Sequence, residues 1–215
     1  MARRRTRARS QRGAVAVEAA LVTPLLLVLL LGIIEMSLLM RDVVATSSSV
    51  RVGARMASTA AGAGPGTCIP TDLTCTPQKA PKVAQLAADA IQRAGSAMPK
   101  DQIEWILVYR ANPLGYPMPE NNDDLKCSSE CVKYVWDSGL STPQFRYDSG
   151  SWDSRTINAC VNDAGLMAVG VAMHANHPWV SGFFGDGVEL EERTVMQFEP
   201  LANESCKPTS INPHP

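Results

Sequence analysis

Apolar residues run almost unbroken from Ala14 to Met40, interrupted only by Glu18, Glu35 and a few small polar groups. As a helix, this run is about 40 Å long at 1.5 Å per residue, against a hydrocarbon core of about 30 Å. It predicts a transmembrane helix over 14–40. Pro24 lies inside it and can kink it, which membrane helices tolerate. Val43, Val44, Ser47, Val50, Val52, Ala54 and Ala57 then mark a patchy helical face, so an extension over 41–62 is expected, ending at the glycines from Gly62 to Gly66.

Further on, Val83, Leu86, Ala87, Ala90, Ile91 and Ala94 recur at helical spacing and predict an amphipathic helix over Lys82–Gly95, with Gly95 as its stop. Ile103–Tyr109 is a β-branched and aromatic run, read as a strand covered on both faces. Leu166–Met173 and Val188–Phe198 read as two more strands, joined by a loop and paired antiparallel. The segment 111–158 is rich in Pro, Asn, Asp and Ser. It reads as loops carrying Tyr116, Tyr134, Trp136, Phe145, Tyr147 and Trp152, which could serve a partner or cap the sheet. The expected fold is α+β: a long N-terminal transmembrane helix, then a small antiparallel sheet packed on a helix within a domain over 63–215.

Charge sharpens the topology. Arg3, Arg4, Arg5, Arg7, Arg9 and Arg12 fall in the first 13 residues, and the remainder has 14 basic against 21 acidic residues. Arginines beside an apolar span hold their end in the cytoplasm. The arm is therefore read as a topology signal with the body extracytoplasmic, and not as a nucleic-acid arm. Glu35 is expected at the outer interface, within reach of Arg41. All six cysteines follow the span: Cys68, Cys75, Cys127, Cys131, Cys160 and Cys206. An even set in an exported domain reads as disulfides, with zinc as the competing reading. A Cys160–Cys206 bridge is preferred, since these residues flank the paired ends of the last two strands.

The chain lacks a P-loop, a dinucleotide fingerprint and a nucleophile elbow, so neither enzyme activity nor a cofactor is expected. His174 and His177 read as loop histidines without a metal, and Asn121–Asp124 as a solvated turn. Glu189, Glu191 and Glu192 read as the exposed side of an edge strand.

Glu18 needs its own account, because a carboxylate near the bilayer interior is costly and usually functional. It can simply sit at the cytoplasmic interface. The stretch Gly13-Ala14-Val15-Ala16-Val17-Glu18, however, resembles type IV and Flp-type prepilins. With Val50–Arg55 (VRVGAR) and, more loosely, the run from Leu166 to Glu199-Pro200, the chain resembles the TadE-like family of the tight-adherence (Tad) pilus system. That resemblance implies a pseudopilin or minor pilin-like protein whose leader, 1–13, is cut by a prepilin peptidase between Gly13 and Ala14. The new amine at Ala14 lies one turn from Glu18, which would serve assembly. The implied partners are the peptidase, other pilins or pseudopilins, the Tad membrane platform and the lipid bilayer. The alternative is an uncleaved single-pass signal anchor displaying a domain for adhesion or binding.

Overall fold

The computed structural model describes residues 5–67, 76–77, 79–94, 98–160, 166–182 and 185–201, excepting the side chains of 5–12. Helix α1 (Arg5–Ser58) is continuous through Pro24. Its 54 residues span roughly 80 Å. The helix has two unlike halves. From Gly13 to Leu30 every residue is exposed. From Glu35 onward one side is buried, through Asp42, Ala45, Thr46, Ser49, Val50, Gly53, Ala54 and Ala57.

Helix α2 (Lys82–Arg93) crosses this second half. A Cβ on Gly53 would lie 2.8 Å from Ile91 Cδ1, so the glycine opens the notch that admits α2. The buried face of α2 is Val83, Ala84, Ala87, Ala88, Ala90 and Ile91. Leu86 is only half-buried and Ala94 is exposed, unlike the expected stripe. The physical reason is that α2 packs on both α1 and the sheet, which widens its covered arc and calls for small residues. Gly95 lies outside the described residues.

Five strands form one antiparallel sheet in the order β3-β2-β1-β4-β5: β1 (Ile103–Arg110), β2 (Cys131–Asp137), β3 (Gln144–Ser151), β4 (Ala168–His177) and β5 (Val188–Gln197). Alternation along the strands divides their side chains. Ile106, Val108, Val132, Tyr134, Phe145, Val169, Val171, Met173 and Ala175 join the helices in the main core. Leu107, Tyr109, Cys131 and Ala172 form a smaller cluster on the other face with Trp105, Ala111, Leu125 and Cys127. The fold is α+β, as expected.

Several expectations are corrected here. The segment 111–158 contains β2 and β3 as well as loops. Tyr134 and Phe145 are core residues, and Trp152 is fully buried. Strand β4 runs to His177, so the loop before β5 is shorter than expected. Glu189 and Glu191 are exposed on β5, but Glu192 is half-buried on its inward side. Asn121–Asp124 is a more structured turn than expected: the Asn122 amide donates to the carbonyls of Pro117 and Asp124.

Cys127 and Cys131 form a disulfide that closes a short loop at the start of β2. Cys160 is also disulfide-bonded. It bridges to Leu201 through the backbone, which places it near the chain that follows β5. Cys68, Cys75 and Cys206, and with them the preferred Cys160–Cys206 bridge, lie outside the described residues.

Gly170 in β4 faces Tyr109 in β1, and a Cβ there would fall 2.2 Å from Tyr109 Cε2. The tyrosine ring fills the space a side chain would take. Gly170→Ala is expected to destabilise the domain by about 1–3 kcal/mol, the usual cost of overpacking. Guanidinium denaturation of the full chain in detergent micelles, followed by tryptophan fluorescence, checks this.

Candidate functional site: the apolar helix and its polar seam

The exposed half of α1 carries no charge from Ala19 to Ile34. No residue from Gly13 to Leu30 is buried. Among the described residues, this one helix is long and apolar enough to cross a membrane. Gly13, Ala14 and Glu18 all lie on it and are exposed. Residues 14 and 18 are one turn apart, so their substituents lie on the same side of the helix, about 6 Å apart along its axis. No heavy atom lies within 4 Å of where a Gly13 Cβ would stand.

The second half holds a polar seam. Glu35, Asp42, Thr46 and Ser49 occupy one helical stripe, and all are buried. Buried carboxylates need partners. Glu35, only 2% exposed, accepts hydrogen bonds from the backbone N–H of Val180 (3.2 Å) and of Ser181 (2.5 Å) in the loop after β4. It is covered by protein and does not reach out freely, and Arg41 is not its partner. Arg41 instead pairs with the neighbouring Asp42 at 3.0 Å.

Asp42 has a second partner on the sheet. His177 Nδ1 donates to Asp42 Oδ2 at 2.7 Å, with both side chains almost wholly buried. The other ring nitrogen, Nε2, is buried without a hydrogen-bond partner among the described residues. Trp179 packs edge-on against the imidazole at 5.3 Å between centroids. Thr46 completes the seam, its hydroxyl donating to Asp42 O at 2.8 Å. Strand β4 and the loop after it are thereby fastened to the helix where the apolar run ends.

Both histidines lie in β4 and not in a loop. Their spacing of three along a strand sends them to opposite faces, so they cannot share one metal ion. His174 is on the outer face, stacked on Trp105 at 5.2 Å. Its Nδ1 is 3.0 Å from Glu104 Oε2, and its Nε2 is 3.8 Å from Glu189 Oε2. Lys133 lies over the same Trp105 ring. Nearby, the Arg193 guanidinium covers the Tyr116 ring at 3.6 Å and donates to Gly115 O at 2.6 Å. Tyr109 donates to the same carbonyl, and burial pushes its hydroxyl up to about 12. These contacts order the loop over the outer face, and they contain no nucleophile paired with a base.

Removing one member of a buried pair leaves the other uncompensated, at a typical cost of about 3–5 kcal/mol. Asp42→Ala is expected to destabilise the domain by about that amount, and His177→Phe in that background to add little. Denaturation of the two single variants and the double variant checks the coupling.

No curated protein and no solved structure matches the chain. Residues 13–55, which hold Gly13, Glu18, the apolar run, Glu35, Asp42 and the Gly53 crossing, match the family model for TadE-like protein.

Proposed function

We propose that the protein is a membrane-anchored pseudopilin or minor pilin-like component of a Tad pilus assembly or secretion apparatus. The observation that carries this reading is the bare first half of α1. Uncharged from Ala19 to Ile34, it projects from a folded domain and carries Glu18 one turn beyond Ala14. In this reading a new amine at Ala14, or one from a neighbouring subunit, supplies the partner charge for Glu18. In a low-dielectric helix bundle such a charge-assisted pair is stronger than on a water-exposed surface.

Gly13 supports processing at that junction. Glycine inside a helix costs about 1 kcal/mol relative to alanine. The open space around Gly13 supplies no packing reason for bearing that cost. A peptidase that needs a small residue at the cleavage point does supply one. The arginine-rich leader places the N-terminus in the cytoplasm, and the domain that follows the span is then extracytoplasmic. Its disulfides suit that side. The other pilins and the membrane platform of the machinery are the partners this reading requires.

Two outcomes are expected. The protein purified from membranes begins at Ala14 by intact mass; a chain still carrying Arg3 to Arg12 overturns the processing. Glu18→Ala lowers pilus number at unchanged protein level, counted by electron microscopy, and normal piliation removes the assembly role.

A further inference from the structure

The apolar run and the folded domain overlap on α1. Apolar residues continue to Met40, but protein already half-covers Leu31 and Gly32, and Glu35 is buried. The overlap of ten residues is about 15 Å of helix. On the uncovered side of this stretch, Ile33, Met36 and Met40 are each more than half exposed. On the covered side, the loop after β4 turns its own apolar tip outward. Val180 is 77% exposed, while its backbone N–H is held by Glu35. Trp179, a residue type suited to the membrane–water boundary, stands beside it. Arg41, with its side chain about half exposed, follows directly after Met40, where a headgroup phosphate could meet it.

We propose that this lower rim of the domain is a lipid-binding surface. Val180 of the loop and Ile33, Met36 and Met40 of α1 sit in the outer interface of the membrane that the helix spans. Two observations select lipid as the occupant. Exposed apolar groups occur both on α1 between Ile33 and Met40 and on the loop that Glu35 of the same stretch holds, which fits a surrounding solvent better than a one-sided partner. The apolar run also exceeds the hydrocarbon core by about 10 Å, so the domain must come down to the bilayer if Met36 and Met40 are to leave water. The domain therefore rests on the membrane and does not stand off on a stalk. This inference depends on the membrane anchoring proposed above.

The test uses the full chain in phosphatidylcholine vesicles whose acyl chains carry bromines close to the headgroup. Val180→Trp adds an indole at a position too exposed to disturb packing. Leu114→Trp adds one at an exposed position in the loop that Arg193 holds over the outer face of the sheet. Emission is read only from protein that floats with the vesicles. The emission added by Val180→Trp should be mostly quenched, and that added by Leu114→Trp should survive. Unquenched emission from Val180→Trp in floated protein overturns the proposal while leaving the anchor intact. A blue shift that grows with the protein-to-lipid ratio, without quenching, assigns the rim to a second copy and also overturns it. Failure to float removes the anchor and the proposal together.

Discussion

One continuous helix has to satisfy two solvents. A lipid-facing helix can be apolar all round, because its backbone is internally bonded and its side chains meet hydrocarbon. A helix on a protein core needs one buried stripe, and it needs every polar group on that stripe paired. Helix α1 changes from the first condition to the second within about two turns around Glu35. The Glu35 and Asp42 carboxylates are where that change is enforced. Each is held by a group from β4 or the loop after it, so the sheet can approach α1 in only one way. The orientation of the sheet on α1 follows from those contacts, and the Gly53 notch seats α2 on the same helix.

Much of this was legible in the sequence, and for definite reasons. The apolar run, the periodicity of α2 and the β-branched β1 are strong because one environment acts along their whole length. Strands β2 and β3 were missed because their pattern is mixed. Val132, Tyr134 and Phe145 face the core, but Lys133, Asp137, Arg146 and Asp148 interleave, and both strands lie among turn-forming residues. The polar seam was hidden for another reason. Nothing local marks Asp42 as the partner of a residue 135 positions away. A signal was present in β4, where His177 shares the alternate positions of Val169, Val171, Met173 and Ala175. Strict twofold periodicity would have put it inside.

The matched segment, residues 13–55, contains the span, both buried carboxylates and the glycine notch, yet none of the sheet. It is thus a self-consistent unit: the part that meets lipid and the surface on which a domain is mounted. The outer face of the sheet, with its ordered loop and the Trp105–His174 stack, lies outside the matched segment and packs as a cluster of its own.

The order of the chain gives the polar seam a temporal side. Glu35 and Asp42 leave the ribosome early, but Ser181 and His177 follow 146 and 135 residues later. Throughout that interval Glu35 lacks its loop amides, and Asp42 has only its neighbour Arg41 and water. Burial of the seam therefore waits until most of the sheet has been synthesised, and the helix cannot close on β4 before then.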